Sequence, residues 1–100
     1  MLNKFEILKE LEKNKSKIQA LGVKKISLFG SYARNEENKN SDIDFIVEFE
    51  KGRGLFRDYS NLLNLLKSIF KKNIDIVKKK YVREEIIPYI KKDIENEKEL

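Results

Sequence analysis

Three aspartates and one Gly-Ser pair are the residues of this chain whose types and spacing could do chemistry. Gly30 and Ser31 are followed, after ten intervening residues, by Asp42 and Asp44, and Asp75 comes later inside the apolar stretch NIDIV. If DIDFIVEF is a strand, Asp42 and Asp44 share one face of it, with their carboxylates roughly 6 to 7 Å apart. Two such charges repel, and each raises the other's proton affinity. A divalent cation reverses that cost, because Mg²⁺ takes oxygen ligands and keeps positions open for water and phosphate. Should the strand of Asp75 lie beside the first, the three carboxylates could hold two ions about 3.5 to 4 Å apart, an arrangement suited to in-line displacement at phosphorus.

The Gly-Ser pair would supply the phosphate grip. Gly30 lets the backbone approach a ligand without a Cβ in the way. Ser31, capping a short helix that runs through Arg34, offers a hydroxyl and free N–H groups to phosphate oxygens. Arg34, one turn on, can reach the same oxygens as a fork of donors.

Elements of modest length must position these groups. Apolar residues Phe5, Leu8, Leu11, Ile18 and Leu21 recur at helical spacing and predict a first helix from Asn3 to about Leu21, ended at Gly22. VKKISLF, residues 23 to 29, reads as a buried strand ended by Gly30. Residues 35 to 41, NEENKNS, form a polar loop. In the strand predicted over 42 to 49, Ile43, Phe45, Val47 and Phe49 face one way, and Asp42, Asp44, Ile46 and Glu48 the other. A helical stripe of Leu55, Phe56, Tyr59, Leu62, Leu63, Leu66, Ile69 and Phe70 predicts a helix over 55 to 70. IDIV, residues 74 to 77, is a third strand, and a last helical stretch is expected from about Arg83 to Asn96, interrupted or restarted at Pro88. Its Ile86, Ile87, Ile90 and Ile94 are expected to cover the sheet. The strands are too few and short for a Rossmann domain, so the expected fold is α/β (α+β): a small mixed β-sheet with helices packed on it.

Composition narrows the chemistry further. The 100 residues contain no cysteine and no histidine, which excludes thiol nucleophiles, disulfides, the usual zinc sites and a Ser-His-Asp triad. Catalysis is left to carboxylates, hydroxyls, basic groups and oxygen-held metals. The length predicts one domain over residues 1 to 100. A net charge of +5 allows an anionic partner, yet 18 of the 22 basic residues are lysines scattered among 17 acids and are expected to form solvated faces. The run Lys78 to Lys80 is read the same way, and direct nucleic-acid binding is not expected. No apolar run is long enough to cross a bilayer and the N-terminus is charged throughout, so a cytoplasmic protein without membrane contact is expected.

The composite pattern, Gly30-Ser31, then Asp42-Ile43-Asp44, then Asp75, resembles the signature of the polymerase-beta-like nucleotidyltransferase superfamily. GSYAR followed by SDIDF resembles in particular the minimal nucleotidyltransferases, the MNT or MntA-type antitoxins encoded beside HEPN-domain toxins. The resemblance implies a Mg-dependent enzyme that transfers AMP from ATP to a hydroxyl, most characteristically a tyrosine of the partner HEPN ribonuclease. By the same resemblance Gly30 and Ser31 would hold the triphosphate, Asp42 and Asp44 would ligate both of two metals, and Asp75 would bind the metal that activates the acceptor. Many relatives carry Gly after the arginine of this segment where Asn35 stands here, and Asn tolerates left-handed backbone angles. Two other readings use the same residues: a binding subunit that blocks its partner by occlusion, and transfer to RNA or a small molecule.

Overall fold

In the computed structural model, residues 2–85 and 98–99 are described. The helical stretch predicted from residue 83 therefore falls, from residue 86 on, outside the described residues. The first predicted helix is two: α1, Lys4–Lys13, and α2, Lys15–Ala20. Asn14 divides them because its own side chain competes for the backbone, its Nδ2 donating to the Glu10 carbonyl at 2.8 Å while its amide donates there at 3.0 Å. The buried positions are Ile7, Leu11 and Ile18, whereas Phe5, placed in the apolar stripe by sequence, is 74% exposed. Asn3 caps α1 through its side-chain oxygen, which accepts from the Glu6 amide.

The strands are β1, Val23–Phe29, β2, Ile43–Phe49, β3, Ile74–Lys78, and a short β4, Lys98–Glu99, which sequence reading did not foresee. They form one mixed sheet in the order β3-β2-β1-β4. β1 runs antiparallel to β2 and β4, and β2 runs parallel to β3. A parallel pair needs a crossover, and α3, Phe56–Phe70, supplies it. Its helical stripe holds at Leu62, Leu66 and Phe70, but Leu55 and Phe56 at its start are 73% and 85% exposed. The first turn is instead fastened by Asp58, whose carboxylate accepts from the Gly54 amide and from both arms of Arg53 at 2.8 and 2.9 Å. These donors pull the Asp58 carboxyl down to about 2.

One face of the sheet meets the helices. Ile26, Leu28, Phe45 and Val47 join Ile7, Leu11, Ile18, Leu62, Leu66 and Phe70 in a single cluster, with the Phe45 and Phe70 rings 6.0 Å apart. Each fully buried Leu, Ile or Phe contributes about 1.5–3 kcal/mol, so this face fixes which way the strands turn their other side chains. Among the described residues, no helix is long and apolar enough to cross a membrane.

Candidate active site

Alternation along β2 that buries Ile43, Phe45 and Val47 must turn Asp44 to the opposite face. The sheet then surrounds it: Asp44 pairs with Phe29 of β1 on one side and with Asp75 of β3 on the other. Cross-strand partners point the same way, so Asp44 and Asp75 stand side by side. Asp42 lies just before β2, near enough for its charge to act on Asp44, and the Ile43 amide donates to the Asn73 carbonyl at 3.0 Å, which ties the entries of the two strands together. The order of strands thus makes β2 and β3 neighbours and sets Asp75 beside Asp44.

Their electrostatics register the crowding. The Asp44 carboxyl is raised from 3.8 to about 6, first by burial, then by the charges of Asp75 and Asp42, while the charge of Arg34 pulls it the other way. Asp42 and Asp75 are exposed and Asp44 is half-buried.

The Gly-Ser pair meets the same carboxylate. Gly30 ends β1 at φ +78°, and a Cβ built on it would stand 2.3 Å from Oδ2 of Asp44. Both the backbone angle and the lack of space require glycine there. The segment after it is a single hydrogen-bonded turn, not the short helix expected from sequence: the amides of Arg34, Asn35 and Glu36 donate to the carbonyls of Gly30, Tyr32 and Ser31. Asn35 takes φ +58°, the left-handed conformation its side chain tolerates, so the turn closes without a glycine. Among the described residues, the amides of Ser31, Tyr32 and Ala33 donate to no backbone carbonyl, and of the three residues Ser31 is the one that is not buried, so its amide and hydroxyl are the groups placed to meet an anion. Arg34 pairs with Glu36 at 3.0 Å, and its charge still reaches Asp44.

Tyr32 was not singled out from sequence. It is completely buried and its hydroxyl has no hydrogen-bond partner among the described residues. Its ring anchors the turn from beneath, while Lys4 Nζ on α1 donates to the Ala33 carbonyl at 3.4 Å. The only signal available was an aromatic residue inside an otherwise small and polar turn.

The donor set fits a hard cation. Three carboxylates supply oxygen only, and burial with mutual repulsion makes ionised Asp44 costly unless a positive charge compensates it. Among the described residues, no group of three or more His, Cys, Asp or Glu side chains stands ready to hold a metal ion, so the fit rests on Asp44 and its in-register neighbour Asp75. An open arrangement suits Mg²⁺, which retains waters and shares phosphate oxygens with its carboxylates. The Gly30 turn, Arg34 and the aspartates thus lie at one end of the sheet.

Comparison with known proteins agrees with this geometry. A family model described as a nucleotidyltransferase domain matches residues 5–100. The chain is 42% identical over 76 residues to a Methanocaldococcus jannaschii protein provisionally named a protein adenylyltransferase, covering 75% of this chain and 73% of that one. It is 30% identical over 95 residues to the protein adenylyltransferase MntA of Thermococcus cleftensis, covering 94% and 95% of the two. A solved structure provisionally described as a minimal nucleotidyltransferase superposes with a TM-score of 0.78 at 26% identity, over 91% of this chain and 92% of that one. A crystal structure of a toxin-antitoxin with AMP-PNP superposes with a TM-score of 0.57 at 28% identity, over 82% of this chain and 61% of that one.

Proposed function

Because the chain belongs to the nucleotidyltransferase domain family, we propose that it transfers AMP from ATP to a hydroxyl of a partner protein, a tyrosine of a HEPN ribonuclease toxin, and thereby acts as an antitoxin. The observation that carries this reading is the in-register pair Asp44 and Asp75 on adjacent parallel strands, with the charge of Asp42 acting on Asp44 and the Gly30 turn against it. The relatives named for protein adenylylation and the toxin-antitoxin neighbour that contains AMP-PNP support the donor and the kind of partner.

In the reaction, the acceptor oxygen forms a bond to the α-phosphorus as the bond to the bridging oxygen of the leaving pyrophosphate breaks. The Ser31 amide and hydroxyl and Arg34 would hold the β- and γ-phosphates and steady the charge that develops on the leaving group. Asp42, Asp44 and Asp75 would hold two Mg²⁺ ions, which when bound supply Lewis-acid polarisation of the phosphate and a lowered pKa of the acceptor hydroxyl. Asp75, exposed on the outer strand next to Asp44, faces the side from which a partner's hydroxyl can approach. Gly30 keeps the turn close enough to Asp44 for phosphate grip and carboxylates to act on one triphosphate.

Intact-mass spectrometry of the neighbouring-gene protein, incubated with this chain, Mg²⁺ and each of the four NTPs, tests the reading. A gain of one or more AMP masses with ATP, absent with the Asp42→Ala/Asp44→Ala double variant, is the expected result. An unmodified partner in a stable complex would overturn it in favour of occlusion.

A further inference from the structure

Beside the aspartates, the loop before β2 and the C-terminal end of α3 line an open, shallow cavity of about 560 Å³, whose walls include Lys39, Asp42, Lys67, Lys71, Lys72 and Asn73. Four ammonium groups share it with one carboxylate. The helix end accounts for part of this, since cations there complement the helix dipole and Lys67 and Lys71 occupy the last turn and the cap. It does not account for Lys39, which comes from a loop on the far wall. Nor does it account for Lys72, which is held across the cavity: its Nζ donates to the Lys39 carbonyl at 3.3 Å and lies 5.9 Å from the centre of the Tyr32 ring. Ion pairs among the described residues join Lys24 and Lys79 to Glu48, Arg34 to Glu36, and Arg53 to Asp58. None of the four cavity lysines is in one. A cleft lined by one sign of charge raises the local concentration of counter-ions, and phosphate is the anion that several lysine point charges serve best.

We propose that this cavity is a second anion site, which binds a phosphate group beside Asp42 and apart from the turn of Gly30 and Ser31. Gly30 ends β1 whereas Asn73 leads into β3, with β2 between those strands, and the buried Tyr32 ring of the turn stands next to Lys72 of the cavity. A phosphate in the cavity therefore reaches the aspartates from the side of Asp75. Small phosphates and the backbone of a nucleotide chain offer the same chemistry, and only their size distinguishes them.

Calorimetric titration in EDTA at low salt tests the site without any metal on the aspartates and without reference to transfer activity. Two probes are used, inorganic pyrophosphate and a five-nucleotide oligoadenylate lacking terminal phosphates. The parent chain is expected to bind at least one of them, with affinity reduced about tenfold or more in Lys67→Gln/Lys71→Gln and retained in Lys67→Arg/Lys71→Arg, which keeps the charge. This double variant leaves the Lys72 contact to Lys39 intact, and an unchanged unfolding midpoint shows that it folds. Lysine-dependent binding of pyrophosphate alone assigns the site to small phosphates, and lysine-dependent binding of the oligoadenylate alone assigns it to a nucleotide chain. Equal affinity of parent and Gln variant, or no binding of either probe to the parent, would overturn the proposal.

Discussion

Replacing Asp44 by Asn should stabilise the metal-free protein, by an amount that depends on pH. The carboxyl titrates near 3.8 when the chain is unfolded and near 6 when folded, a difference equivalent to about 3 kcal/mol at face value. The group is only partly buried, so screening reduces the effect to on the order of 1 kcal/mol. The sign follows from linkage: a carboxyl whose pKa is raised on folding binds protons more tightly in the native state, so native stability falls as pH rises from about 4 to about 6 and is constant above that. Asn keeps the shape and removes the titration. In EDTA, urea unfolding of parent and Asp44→Asn should give equal stabilities near pH 4. At pH 8 the variant should be ahead by about 1 kcal/mol, or roughly 5 °C in Tm for a domain of this size. Saturating Mg²⁺ should then raise the parent and leave the variant behind, because ligand binding to the native state adds stability, about 2.7 kcal/mol at one hundred times Kd. A difference that does not change with pH, or a variant less stable than the parent at pH 8, would refute the reasoning that burial and the neighbouring aspartates crowd this charge.

Gly30→Ala should cost about 1–2 kcal/mol of stability in urea unfolding, from a left-handed backbone angle and a Cβ placed 2.3 Å from the Asp44 carboxylate, and should abolish transfer in the mass assay. Full activity in the Gly30→Ala variant would separate the turn from the site. Tyr32→Phe should be neutral or stabilising by up to about 1 kcal/mol, because it removes a buried hydroxyl that has no partner among the described residues. A loss of more than about 1 kcal/mol in the same unfolding measurement would show that the hydroxyl is satisfied after all.

Much of the fold was legible because its local signals agree with its tertiary context. The three main strands and α3 follow from alternation and helical spacing, and their observed bounds differ from expectation by a residue at most. Expectation failed where side chains act on their own backbone or where an element's end overhangs its support. Asn14 splits the first helix by bonding to Glu10, a competition that periodicity does not register. Leu55 and Phe56 continue the apolar stripe of α3 but precede the part that rests on the sheet. At Asn35 the backbone takes a left-handed angle, and the identity of the residue sufficed to anticipate it.

The sequence by itself determined the donor chemistry of this protein: with no His and no Cys, only oxygen ligands and basic groups could be brought together, and period-two alternation turned Asp44 away from the buried Ile43 and Phe45. Tertiary structure alone decided that β3 lies next to β2 in parallel, with Asp75 opposite Asp44, since strand order depends on a crossover through α3 that no local spacing encodes. It also decided that Lys39 and the lysines at the end of α3 face one cavity beside Asp42. Residues that read as scattered surface charge along the chain become a cluster only when the loop before β2 and the end of α3 are folded against each other, and the field they share depends on distance in space, not on separation in sequence.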